Sequence, residues 1–139
     1  MENLGIIQKI EEIEITIHGS PMMGYKITTD KHTFELLINN DQQCCEHAGF
    51  CSCNEDLDYF IGSELIKVEQ TDTALNKQLL LDSENIDLDD KYCETNIQFV
   101  DFTTNLGVFQ IAVYNTHNGY YRHEIMFKKD NDCILNVWL

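Results

Sequence analysis

Apolar residues recur along much of this chain at every second position, the spacing of strands that bury one face and expose the other. The clearest run is residues 13–17, I-E-I-T-I, in which isoleucines alternate with polar residues. Residues 3–10 place Leu4, Ile7 and Ile10 at helical spacing and form either a short helix or the lead into that strand. Gly19, Ser20, Pro21 and Gly24 punctuate a loop, after which residues 25–29 and 33–38 give two further strands about a turn at Asp30 and Lys31. Residues 64–71 resume the alternation, with Leu65, Ile66 and Val68 as its apolar side. Residues 97–103 and 108–114 pair about Asn105-Leu106-Gly107, and Asn118-Gly119 supplies the positive backbone angles of a second two-residue hairpin turn. A last strand, residues 133–139, carries Trp138 into the core.

About seven strand segments joined by short turns predict a mainly β fold, an antiparallel sheet with one or two short helices, in a single domain over residues 1–139. The one helical turn with its own signal follows Cys53, where Asn54 and the acids behind it cap a segment that stops at Gly62. Those acids lack the D-x-D-x-D pattern and closing glutamate of a calcium loop. At 43% hydrophobic residues and one proline the chain supports a folded core. No apolar run approaches the ~20 residues that cross a bilayer, and no secretory leader is visible, so a soluble, intracellular protein is expected.

Charge changes the picture most. Twenty-four acidic residues against nine basic ones give a formal net charge of -15, and Arg122 is the only arginine. Phosphate backbones and anionic membranes repel such a surface, which disfavours direct nucleic-acid or membrane binding and favours basic protein partners. The most acidic window, residues 82–94, offers Asp82, Glu84, Asp87, Asp89 and Asp90 as a candidate partner surface, set against an ordinary solvated loop.

The candidate chemistry is concentrated in residues 44–53, C-C-E-H-A-G-F-C-S-C. Cys44, Cys45, His47, Cys51 and Cys53 are five soft ligands in ten residues, one more than tetrahedral zinc requires. In an extended chain Cys51 and Cys53 point the same way, as do Cys45 and His47, and Gly49 lets the intervening chain reverse. A structural zinc in an irregular loop is preferred to reduced thiols and to a disulfide, with which of the five binds left open. Cys93 and Cys133 are expected as small core residues. Residues 117–123 present His117, Tyr120, Tyr121, Arg122 and His123 at the hairpin tip, a set that suits packing, partner binding or, with Asp101, acid-base chemistry.

Four stretches resemble a family of small uncharacterised domains encoded by phages and other mobile elements of low-GC bacteria: Q-C-C-E at 43–46, F-I-G-S-E-L at 60–65, F-V-D-F at 99–102 and Y-N-T-H-N-G-Y-Y-R-H at 114–123. The resemblance runs from about residue 25 onward, and Cys51 and Cys53 depart from its pattern, so the zinc expectation rests on this chain alone. In size and acidity the chain is also similar to anti-CRISPR proteins of type II systems, one of which contains zinc. That resemblance implies a non-enzymatic inhibitor, in the host bacterial cytoplasm, of the CRISPR effector nuclease, acting by interference with nucleic-acid loading. The alternatives are a zinc-dependent hydrolase using His117 or His123 as base, and an acidic phage adaptor protein.

Overall fold

The alternating isoleucines of the first strand find their partner at once. In the computed structural model, which describes residues 4–39, 47–52, 56–71, 94–117, 124–130 and 132–138, β1 (Ile7–Ile17) folds back onto β2 (Ser20–Thr29), and β2 onto β3 (Thr33–Asn39). The β1–β2 turn is only His18 and Gly19, both at positive φ (51° and 83°), the geometry whose twist matches that of two antiparallel strands. The loop expected up to Gly24 is therefore strand. Pro21 is the second residue of β2, opposite Thr16 of β1, and Gly24 is accommodated because the Leu36 carbonyl of β3 occupies the space a side chain would need. The segment before Ile13 is strand too, from Ile7 onward, rather than helix.

β4 (His47–Ser52) then opens a second sheet. A 3-10 turn at Leu57–Phe60, capped by the Asp56 carboxylate, leads into β5 (Leu65–Thr71), and β6 (Glu94–Thr104) pairs with β7 (Gly107–His117) about the predicted Asn105-Leu106 turn. β8 (Glu124–Lys129) and β9 (Asp132–Trp138) return to the first sheet. Among the described residues the result is a five-stranded sheet, β1-β2-β3-β8-β9, and a four-stranded sheet, β4-β7-β6-β5, every pairing antiparallel.

The second predicted hairpin is corrected here. β7 pairs with β6 and β4, whereas β8 pairs with β3 and β9, so the strands flanking Asn118-Gly119 belong to different sheets. A turn dipeptide acts locally, but the apolar face of β8, Ile125 and Phe127, is buried against Ile38 and Leu36 of β3. Residues 118–123, with Tyr120, Tyr121, Arg122 and His123, lie outside the described residues.

The inner faces of the sheets meet in one core. Tyr25 and Ile27 of β2, Phe34 and Leu36 of β3, and Phe127 of β8 face Phe102 of β6 and Phe109 of β7. Phe102 and Phe109 stack with ring centroids 4.9 Å apart, and Phe34 meets Phe102 edge-on at 5.9 Å. Each such ring, fully buried, contributes roughly 1.5–3 kcal/mol from area alone. At one end residues 4–7 tie the sheets together: the Leu4 N–H donates to the Leu65 carbonyl, the Leu65 N–H to the Gly5 carbonyl, and the buried Thr29 hydroxyl to the Leu4 carbonyl. The four-stranded sheet buries its other face as well, where Phe99, Ala112 and Tyr114 pack with Cys51. Cys133, by contrast, is exposed on the edge strand β9, not a core residue, while Cys93 and the Trp138 side chain lie outside the described set.

Candidate functional site: an acidic cleft between the sheets

Of the five proposed metal ligands only His47 and Cys51 fall among the described residues, and those two lie on a strand rather than in an irregular loop. Residues 47–52 are an extended strand paired with β7 from His47–Thr116 to Ser52–Ile111. Four strand positions separate His47 from Cys51, about 13 Å between Cα atoms. That is farther than the two side chains span through metal bonds of about 2.0–2.3 Å. Gly49 makes no reversal either. It sits opposite Tyr114, and a Cβ there would fall 2.6 Å from the tyrosine hydroxyl, so its role is to leave room for the ring. Cys51 is 3% exposed in an apolar cluster, and Cys44, Cys45 and Cys53 lie outside the described residues. Among the described residues no group of three or more His, Cys, Asp or Glu is placed to hold a metal ion.

The acidic window, with Asp82, Glu84, Asp87, Asp89 and Asp90, also lies outside the described residues. His117 and Asp101 are both on the four-stranded sheet but do not meet. His117 is paired with Glu94, and Asp101 lies seven positions farther along β6, roughly 23 Å away at strand rise, so an acid-base pair between them is excluded.

A site that the sequence did not single out appears at the seam where β1 and β2 face the end of β4. A cleft of about 380 Å³ opens there over Ile10, Tyr25 and Leu57. Glu11 and Glu12 come from β1, Asp56 and Asp58 from the start of the 3-10 turn, and Ser52 closes one side. Its described lining includes four acidic residues and no lysine or arginine; Glu11, opposite Lys26, points to the other face of the sheet, which leaves the carboxylates of Glu12, Asp56 and Asp58 to the cleft. Strand pairing explains the placement: Glu12 is in register with Tyr25 and shares the inward face, but on an edge strand that face reaches solvent. Asp56 is fixed by accepting from the Asp58 N–H at 3.1 Å, and Glu11 is bridged to Lys9 at 2.8 Å on the same strand. The Tyr25 ring is held edge-on to Phe50 of β4, centroids 5.2 Å apart.

Chemically, such a cleft accepts hydrogen bonds and positive charge at its rim and takes an aliphatic stem on its floor. A lysine or arginine side chain of another protein has both parts. The signals that could have found it were the E-E-I-E run of residues 11–14 and the D-x-D of residues 56–58, but nothing local in either names the other.

The model of the family described as "Domain of unknown function (DUF7448)" matches residues 3–127. The chain belongs to that family. The match takes in β1 through most of β8 and ends before β9, and it reaches nearer the amino terminus than the words that carried the resemblance. No curated protein and no solved structure matches the chain. No helix among the described residues is long and apolar enough to cross a membrane.

Proposed function

We propose that the protein works by binding, as an acidic inhibitor that occupies a basic, nucleic-acid-handling surface of another protein. The observation that supports this best is the cleft: exposed Glu12, Asp56 and Asp58 gathered from two segments 44 residues apart or more, around an apolar floor, in a chain of net charge -15. The partner implied by the resemblance to anti-CRISPR proteins is the RNA-guided DNA nuclease of a type II system, whose heteroduplex channel is positively charged. An arginine or lysine of that channel, held by these carboxylates, would no longer be available to phosphate.

The test is target-DNA binding by the guide-loaded nuclease, measured with and without excess protein. DNA binding is expected to be lost with the wild-type protein and largely restored with the Glu12→Gln, Asp56→Asn, Asp58→Asn triple variant. A nuclease that loads DNA equally well in the presence of the wild type sinks the choice of partner. Inhibition undiminished in the triple variant sinks the cleft as its contact.

A structural zinc belongs to the same proposal in a narrower form. The strand spacing of His47 and Cys51 allows at most one of them to join Cys44, Cys45 and Cys53 at a single ion. Native mass spectrometry of the reduced protein is expected to show one zinc per chain, displaced by His47→Ala or by Cys51→Ala but not by each. A wild-type chain that binds no metal removes the ion from the proposal.

A further inference from the structure

A second cavity, of about 170 Å³, lies on the far side of the sandwich, where β5 faces β8 and β9. Its walls are core side chains: Leu4, Phe34, Val68 and Phe127. Two polar residues break that pattern. Lys129 follows Ile125 and Phe127 on the inward parity of β8, and Gln70 follows Val68 on that of β5, so each stands where alternation calls for an apolar side chain. Lys129 is half-buried and makes no ion pair among the described residues, although the chain holds 24 acids; of the carboxylates nearest it, Asp130 is engaged by His32 and Thr33, and Asp132 stands opposite it in the β8–β9 ladder. At the rim, a bulge in the β8–β9 pairing between Phe127 and Lys128 leaves Ile134 as the extra residue, 48% exposed and turned onto the cavity.

We infer that this cavity is a binding site for a small carboxylate with one apolar ring or branched chain. Cavities of about 150 Å³ with such walls take a benzene ring. The ring would lie against Phe34 and Phe127, between them and Val68 of the facing sheet, and the carboxylate would pair with the Lys129 ammonium and accept from the Gln70 amide.

Benzoate and its neutral counterpart benzamide are the probes, titrated against the whole protein while the methyl and ring resonances of Ile134 and Phe127 are followed by NMR. Benzoate is expected to shift these resonances saturably and to bind at least tenfold more tightly than benzamide. Lys129→Met, which keeps the aliphatic stem, is expected to abolish that preference, and Ile134→Ala, at the exposed rim, to weaken both probes without unfolding the domain. Benzamide binding as well as benzoate, an undiminished benzoate affinity in Lys129→Met, or no shift at Phe127 would each overturn the assignment.

Discussion

Asp101 shows what a single side chain contributes when its neighbours are wrong for its charge. It lies between Glu69 of β5 and Gln110 of β7, directly opposite each in the ladder. Desolvation raises its pKa above the ordinary carboxylate value, the Gln110 amide, donating at 2.7 Å, pulls it partly back, and the Glu69 charge adds to the rise. A carboxyl whose folded pKa is raised penalises the fold above that pKa, and the penalty fades as pH falls and both states protonate. Asp101→Asn retains an acceptor for Gln110 and drops the charge. It is expected to raise the unfolding midpoint at pH 7, with the gain shrinking toward pH 4; a midpoint lowered at pH 7 would refute this account. Gly24 is the opposite case, a position where the missing side chain matters. A Cβ there would lie 1.9 Å from the Leu36 carbonyl oxygen of the neighbouring strand, so Gly24→Ala must push β2 and β3 apart. Urea unfolding is expected to show a loss of about 2 kcal/mol or more, at the upper end of overpacking costs.

Between elements, one hydrogen-bonded contact joins two turns 98 residues apart. His32, in the β2–β3 turn, meets Asp130, in the β8–β9 turn, with Nδ1 2.9 Å from Oδ2, and the other Asp130 oxygen accepts from the Thr33 N–H at 3.0 Å. The His32 hydrogen bond first, and the Thr33 N–H next, hold the Asp130 carboxyl below the usual carboxylate range. A depressed folded pKa means stability that is present above the unfolded pKa of ~4 and lost as pH falls through the folded value. Asp130→Asn suits the same left-handed backbone, φ 57°, and still accepts from Thr33, but it cannot titrate. Thermal unfolding from pH 6 to pH 2 is expected to show a flatter acid limb in the variant than in the wild type, and identical limbs would count against the clasp. On one side of this clasp β2 and β3 were legible in outline over residues 25–29 and 33–38, as were the Asp30-Lys31 and Asn105-Leu106 turns; on the other, β9 was legible over residues 133–139 but β8 was not a strand the sequence marked out. Which strands pair was not. The path from β7 to β8 holds the best turn dipeptide in the sequence, yet it connects different sheets, because pairing is decided by which apolar faces can be buried together over distances no local motif encodes. For the same reason the reversal expected at Gly49 gives way to strand: the ligand spacing is visible in the sequence, whereas the ladder that draws His47–Ser52 straight against β7 is not.

For the molecule as a whole the governing quantity is the excess of fifteen negative charges, and two separate regions compete to be where it acts. One is the cleft with Glu12, Asp56 and Asp58, fixed by strand pairing and a helical cap; the other is the sequence window with Asp82, Glu84, Asp87, Asp89 and Asp90. They differ in what neutralisation should do. Charges that only steer a partner at a distance act through the association rate and are screened within a Debye length of about 8–10 Å, so removing them flattens the salt dependence of association and leaves dissociation alone. Carboxylates that hold a partner's arginine or lysine in a cleft act on dissociation, because the buried cation loses its acceptors. Binding kinetics of the nuclease measured across 50–500 mM salt are therefore expected to separate the two sets. The Glu12, Asp56, Asp58 variant should dissociate at least tenfold faster at every salt concentration, and the amide-for-acid variant of the window should associate more slowly at low salt only. If the window variant alone speeds dissociation, the grip lies there and the cleft is a solvated groove; if neither variant changes either rate, charge does not lead the interaction.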